Sequence, residues 1–220
     1  MRIEVAVVPV GGAAADGLWA VLEDEERRRA ERYRFVDDQR RSIVGRGTLR
    51  MLLGRRLGRD PRDLRFVVGQ QGKPALRDRE LDFNVSHSGD RVAIAMAAGT
   101  PVGIDIEREQ PRMTDLVVLA RRFFSPVEAL EVERADADAA THVFFTIWTA
   151  KEAVIKAVGG GLSIELASFS VLPVRTQCGA VENLGGDPKL DGWHVAALPS
   201  DEGYRTAVSA LGADWEIVRL

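Results

Sequence analysis

The sequence predicts an α+β protein made of two similar halves, and three observations support this prediction. Across the 220 residues, a helical pattern followed by strand-like runs occurs twice. The run Val92–Met96 has a counterpart in Thr206–Ala210, and each belongs to a predicted hairpin. Duplicated units pack most simply about a pseudo-twofold axis. We therefore expect halves at residues 1–100 and 101–220, with a ligand site in the cleft between them.

In the first half, apolar periodicity and turn residues divide the chain into two helices and four strands. The predicted helices are Asp24–Phe35 and Asp38–Leu57. The predicted strands are Arg2–Val8, Leu64–Val68, Leu81–Val85 and Arg91–Met96. Two turns are predicted, one at Gln71–Pro74 and one at Ser86–Asp90, where the second joins the last two strands into a hairpin.

The second half repeats this order after a boundary near Gly99–Pro101. A helix is predicted at Phe144–Val158, and three consecutive glycines end it. The strands that follow are predicted at Ser168–Val174, Trp193–Leu198 and Arg205–Leu211.

Composition and charge exclude several classes of protein. Apolar residues make up 45% of the chain and charged residues 29%, which suits a globular protein with a core. The net charge of -3 argues against a nucleic-acid partner. The opening run resembles a strand rather than a secretory signal, and no run reaches the ~20 apolar residues of a membrane helix. Cys178 alone forms neither an intrachain disulfide nor a thiolate zinc site. We expect a cytoplasmic protein without a membrane partner.

The segment Val102–Glu107 alternates apolar and acidic residues. In a strand this pattern places Asp105 and Glu107 on one face. Carboxylates side by side repel each other unless a cation neutralises them, and oxygen ligands suit Mg²⁺ or Mn²⁺ better than Zn²⁺. The alternative is an exposed strand face paired with Arg108.

A second acidic motif lies on the helix that ends at Val158. Glu152 and Lys156 are four residues apart and share a face, with Trp148 one turn earlier. A solvent-exposed pair of this kind contributes only ~0.3–0.5 kcal/mol and indicates little. By spacing alone, these three side chains are equally compatible with a surface patch and with the wall of a site.

Taken in order, these motifs resemble the 4'-phosphopantetheinyl transferases of the surfactin-synthetase-activating, pseudodimeric type. The resemblance runs from about Glu25 to Val171. The motifs that carry it are GKP at 72–74, FNVSHSG at 83–89, VGIDIE at 102–107, RFFSPVE at 122–128 and WTAKEAVIKAVGGGL at 148–162.

The resemblance implies transfer of 4'-phosphopantetheine from coenzyme A to a serine of an apo-carrier protein, with release of 3',5'-ADP. The carriers of this family serve fatty-acid, polyketide or non-ribosomal peptide synthesis. It also implies Mg²⁺, with Mn²⁺ as a possible substitute, and a monomer that is a pseudodimer. Asp105, Glu107 and Glu152 match the metal-binding acids, and Lys156 matches a lysine on the phosphates. Glu152, Lys156 and Asp105 are the residues expected to act in catalysis, with Glu152 a candidate base.

The resemblance further implies a set of residues around coenzyme A. They are Arg29, Arg41, Arg46, Lys73, Pro74, Ser86, His87, Lys151 and Lys156. Glu26 stands where the family has a second basic residue, and Arg27 or Arg28 are candidate substitutes. Arg121 and Arg122 are candidates for contact with an acidic carrier.

Two other functions stay open at this point. A magnesium-dependent phosphohydrolase acting on a nucleotide would also use clustered acids and a lysine. A non-catalytic module that binds coenzyme A or a carrier would keep the fold but lose a metal acid or Lys156, and none of these is missing.

Overall fold

The computed structural model describes residues 1–11, 14–69, 72–110, 115–174 and 178–220. Gln71, which belongs to one predicted turn, lies outside these ranges. The six helices of the described residues are α1 (Ala14–Trp19), α2 (Asp24–Glu31), α3 (Val36–Leu57), α4 (Leu116–Phe123), α5 (Pro126–Arg134) and α6 (Ala137–Val158). None of these helices is long and apolar enough to cross a membrane.

The described residues also form twelve strands, seven longer and five shorter. The longer strands are β1 (Arg2–Pro9), β4 (Asp82–Ser88), β5 (Arg91–Ala97), β6 (Val102–Arg108), β10 (Trp193–Leu198), β11 (Tyr204–Leu211) and β12 (Glu216–Arg219). The shorter ones are β2 (Phe66–Val68), β3 (Pro74–Leu76), β7 (Phe169–Ser170), β8 (Gly179–Ala180) and β9 (Glu182–Asn183). The predicted α+β class is therefore confirmed.

Two four-stranded sheets share one pattern of connections. The first has the order β12-β1-β5-β4 and the second the order β6-β11-β10-β8. Within each, a strand leads through a helix to an antiparallel hairpin, and the second hairpin strand pairs with the leading strand. The units β1-β5-β4 and β6-β11-β10 are thus equivalent, with α3 in one and α6 in the other.

The two sheets pack against each other and carry the helices on their outer faces. Between the sheets lies an apolar layer that includes Val5, Ala95, Ile104 and Val208, all buried. A second core forms under α3 and a third under α4 to α6. The layers therefore run helix, sheet, sheet, helix, and residues from both halves meet in the middle.

Several predicted boundaries were wrong, for local reasons. The strand predicted at Ser168–Val174 is only two residues long, Phe169–Ser170, because the next amide, that of Val171, donates to the Glu128 carboxylate instead of to a neighbouring strand. The predicted helix at Phe144–Val158 begins earlier, at Ala137, where Asp136 caps it by accepting from the Ala139 amide. The predicted turn Ser86–Asp90 contracts to Gly89 and Asp90, because β4 continues to Ser88.

The strand β12 was not predicted. It pairs in parallel with β1, so the end of the chain completes the sheet of the first half. The amino terminus donates to the carbonyl of Asp214 at 2.6 Å. With only four residues and two apolar ones, β12 gives too short a pattern for recognition from sequence.

Candidate active site

A glycine on β6 allows α6 to lie directly against that strand. A Cβ added at Gly103 would overlap the carbonyl oxygen of Ala153 and the amide nitrogen of Ala157. Only a residue without a side chain permits this approach. As a result, the helix face that carries Glu152 and Lys156 reaches the strand that carries Asp105.

Asp105 is the centre of the resulting cluster, and it is 2% exposed. Lys156 Nζ donates to Asp105 Oδ1 at 2.6 Å and to Ser86 Oγ at 3.0 Å. The Ser86 hydroxyl donates to the same Oδ1 at 2.8 Å. The other oxygen, Oδ2, is buried and has no hydrogen-bond partner among the described residues. A buried carboxylate oxygen without a partner is costly, so this atom is suited to accept a cation.

Two further carboxylates are close enough to Asp105 to repel it. Burial, followed by the negative charge of Asp105, raises the pKa of both Glu107 and Glu152 above the ordinary value. Three carboxylates held together in this way are a hard, all-oxygen ligand set, which fits Mg²⁺ or Mn²⁺. In the described residues no three side chains already surround one metal position. Lys156 compensates the charge of Asp105 instead.

A cavity of about 690 Å³ opens beside this cluster. Its polar lining includes Glu152, Lys156 and Asn84. Its apolar lining includes Phe123, Ile155, Ile164 and Leu166. The acids and the lysine therefore meet solvent through a space large enough for an extended, partly apolar ligand.

A second cavity, of about 540 Å³, is lined by basic residues from α2, α3 and β4. These residues are Arg29, Arg41, Arg46 and His87. Gly72 and Pro74 line both cavities, so the two lie on either side of the Gly-Lys-Pro turn. The cationic cavity and the cavity that contains Glu152 and Lys156 are therefore adjacent, and the two together are called the groove below.

The basic residues of the second cavity differ in how they are held. Arg41 donates to the Gly89 carbonyl at 2.8 Å and pairs with Asp38. Arg46 pairs with Glu26 and stacks on Phe66. Arg29 lies on the exposed face of α2.

His87 stays neutral more readily than an ordinary histidine. Partial desolvation, together with the positive charges of Arg41 and Lys156, lowers the pKa of its ring. A neutral imidazole donates from one nitrogen and accepts at the other, so His87 can offer a hydrogen bond to an anion without adding charge.

The structure contradicts the role expected of one residue near the nucleotide, Lys151, and shows protein partners for two others, Ser86 and Lys73. Lys151 is fully buried and pairs with Glu128 at 2.7 Å, so it cannot reach a ligand in the groove. Ser86 is buried and holds Asp105. Because alternate residues of β4 face opposite sides, Val85 and His87 line the basic cavity and Ser86 does not. Lys73 lines the larger cavity but binds Asp82 and the Val102 carbonyl.

Glu26, which stands where the family has a basic residue, has a structural role. It accepts from Arg50, which is fully buried, and caps the start of α2 together with Glu23. Arg27, one of the candidate substitutes, donates to the carbonyls of Trp19 and Ala20 instead of lining the basic cavity.

Trp148 and α4 border the site. Trp148 packs against Phe123 and Phe144, so it belongs to the core rather than to a surface patch. Arg122 lines the larger cavity, while Arg121 pairs with Glu133 on the surface. Residues 111–114, just before α4, lie outside the described residues.

Three polar residues of this region were missed from sequence. Ser88 donates to Glu107 at 2.7 Å, Asn84 lines the larger cavity, and Glu128 neutralises Lys151. The alternation of polar residues along Asp82–Ser88 was the available signal for the first two.

Two protein-family models match this chain. A model described as the 4'-phosphopantetheinyl transferase superfamily matches residues 101–209. A model described as 4'-phosphopantetheinyl transferase, N-terminal, matches residues 14–99.

Three relatives are similar over most of their length. A 4'-phosphopantetheinyl transferase of Bacillus subtilis is 33% identical, covering 94% of this chain and 90% of that protein. The 4'-phosphopantetheinyl transferase HetI of Nostoc sp. is 34% identical, with 90% and 82% covered. The 4'-phosphopantetheinyl transferase Sfp of Bacillus subtilis strain 168 is 31% identical, with 94% and 90% covered. On this similarity, the resemblance seen in the motifs is confirmed, and the chain belongs to the 4'-phosphopantetheinyl transferase superfamily.

Proposed function

We propose that this chain transfers 4'-phosphopantetheine from coenzyme A to a serine of an apo-acyl or apo-peptidyl carrier protein, with release of 3',5'-ADP. The observation that carries the proposal is that a cavity lined by arginines lies next to one lined by Glu152 and Lys156. A nucleotide with several phosphates fits the first end, and a flexible pantetheine arm fits the second. We propose that the site belongs to both halves, 1–100 and 101–220, and that one chain acts as a monomer.

Asp105, Glu107 and Glu152 are proposed to hold Mg²⁺. The support is the unpartnered Oδ2 of Asp105 and the mutual repulsion of the three carboxylates. When bound, the metal would lower the repulsion between a pyrophosphate and an incoming nucleophile and stabilise charge on the leaving group. These carboxylates would hold the ion beside Lys156, which lines the same cavity as Glu152.

Arg29, Arg41, Arg46 and His87 are proposed to bind the nucleotide end of coenzyme A. Arg41 is held by the Gly89 carbonyl, so part of its position is fixed before a ligand arrives. Arginine suits phosphate because its planar group can form two parallel hydrogen bonds. Arg46 shares its charge with Glu26 and is therefore expected to contribute less than Arg41.

Lys156 and Glu152 are proposed to act on the reacting groups. The ammonium of Lys156 lies beside Asp105 and can turn to a phosphate oxygen, where it would stabilise developing charge. Glu152 lines the larger cavity, so its carboxylate faces the space that a carrier serine would enter. It would take the proton from the carrier serine, directly or through a water.

The experiment that tests this proposal follows the products from coenzyme A and Mg²⁺ with and without an apo-carrier. Transfer predicts 3',5'-ADP only when the carrier is present, in amounts equal to the carrier modified. A phosphohydrolase would release phosphate without any carrier, and a binding module would release neither product. Either of those results would reject the proposal.

A further inference from the structure

One edge of β6 is completed by side chains instead of by a strand. On its other edge β6 pairs with β11. Facing β4, four amides of β6 donate to four side chains of β4. The pairs, with their nitrogen-to-oxygen distances, are Val102 to Asp82 at 3.0 Å, Ile104 to Asn84 at 2.9 Å, Ile106 to Ser86 at 3.4 Å and Arg108 to Ser88 at 3.1 Å.

In this side-chain ladder, the donors on β6 and the acceptors on β4 both recur every second residue, which is the period of a strand. Each amide and its acceptor are 20 residues apart in sequence, and both strands advance by two residues per step. An edge strand has unpaired amides that need partners when buried. The ladder supplies them and fixes the register of β6 against β4, since a shift of one residue would turn every acceptor away.

The two serines of the ladder donate hydrogen bonds as well as accept them. A hydroxyl that accepts an amide hydrogen still has its own hydrogen to donate. Ser86 donates to Asp105 Oδ1 at 2.8 Å, and Ser88 donates to Glu107 Oε2 at 2.7 Å. Each serine therefore joins the backbone of β6 to one of its two acids. Because Ser86 also contacts Lys156, Ser88 is the one that acts on a single carboxylate.

We propose that Ser88 is a positioning residue, which holds the carboxylate of Glu107 on the face it shares with Asp105. This inference rests on the proposed function, because it takes Glu107 as a metal ligand. The two carboxylates repel each other, and a glutamate has three rotatable bonds by which to turn away. The Ser88 hydroxyl, itself fixed by the Arg108 amide, opposes that movement. Loss of a partner that orients a metal ligand in this way commonly weakens metal binding by about 10–100-fold.

The test measures Mn²⁺ binding by electron paramagnetic resonance, with the full chain and saturating coenzyme A, against coenzyme A alone as blank. The variant Ser88→Ala is expected to weaken the apparent Kd for Mn²⁺ by about tenfold. Ser200→Ala, on an exposed loop, serves as the control and is expected to bind as the unaltered protein does. Wild-type affinity in Ser88→Ala would overturn the inference.

A matched pair separates positioning from folding. Ser88→Thr and Ser88→Val have nearly the same shape and differ in the hydroxyl, and both suit a strand. Thr is expected to bind Mn²⁺ within about twofold of the unaltered protein and Val about tenfold more weakly. Equal Mn²⁺ affinity of the two variants would overturn the proposed role of Ser88 and leave the proposed metal site untouched. No saturable Mn²⁺ binding by the unaltered protein would instead reject the metal site of the proposed function, and this inference with it.

Discussion

Lys151 and Glu152 are neighbours on α6, yet they lie in different environments. Successive residues of a helix are about 100° apart around its axis, so one side chain enters the core and the other faces the groove. Lys151 Nζ is held by Glu128 and by the carbonyls of Leu166 and Phe169. The buried pair joins α5, α6 and the segment before β7 behind the site.

At this scale we predict a large loss of stability from Lys151→Met. Glu128 would keep a buried negative charge without its partner, which costs about 3–5 kcal/mol of unfolding free energy. Urea denaturation followed by circular dichroism measures it. Lys189→Met, at an exposed lysine, is the control and should stay within about 0.5 kcal/mol. A small change in Lys151→Met would show that the ion pair is unimportant for folding.

The acids also predict how pH affects the protein. Glu107 and Glu152 have raised pKa values when folded, so their ionisation destabilises the metal-free protein as pH rises from the ordinary value of 4.5. In the proposed site, Mg²⁺ would bind the ionised carboxylates and offset their repulsion. Mg²⁺ should therefore raise the melting temperature by several degrees near pH 7.5 and much less near pH 5.

Differential scanning calorimetry measures this effect at both pH values. The double variant Glu107→Gln/Glu152→Gln should show no Mg²⁺ effect at either pH. Equal stabilisation of the unaltered protein at both values would contradict the role given to these carboxylates.

The contact between β6 and α6 is the element on which the site depends. Gly103 brings the helix axis close to the strand, and Glu152 and Lys156 approach Asp105 for that reason. Replacing Gly103 by alanine would force the helix away from the strand.

We predict that Gly103→Ala lowers the unfolding free energy by about 1–3 kcal/mol, the usual cost of overpacking, and weakens Mn²⁺ binding. Gly17→Ala is the matched control, because a Cβ at Gly17 meets nothing within 4 Å and alanine favours a helix. Chemical denaturation and a Mn²⁺ titration measure both effects. An unchanged unfolding free energy and Mn²⁺ affinity in Gly103→Ala would show that the site does not depend on this close contact between α6 and β6.

Much of this element was predictable from sequence, and the limits have physical causes. Alternation in Val102–Glu107 predicted that its two acids share a face, and the four-residue spacing placed Glu152 with Lys156. Periodicity did not reveal that Lys151 is buried, because its partner Glu128 lies on another helix. Nor did it reveal Ser88, whose role depends on the approach of β4 to β6.

At the scale of the whole molecule, the two equivalent structural units contribute different functional side chains. The helix α3 supplies Arg41 and Arg46 to the basic cavity, while the equivalent helix α6 supplies Glu152 and Lys156 to the other. The apolar layer between the sheets fixes the two units together, and β12 returns to the first sheet. The groove therefore joins cationic and acidic ends that neither unit has alone.

The central claim is that this combined site modifies carrier proteins. The most direct measurement is the intact mass of an apo-carrier after incubation with the chain, Mg²⁺ and coenzyme A. We predict a mass gain of one phosphopantetheinyl group with the unaltered chain, and none with Asp105→Asn, whose fold circular dichroism should show to be retained. No gain on any of several apo-carriers with the unaltered chain, or an equal rate with Asp105→Asn, would contradict the account.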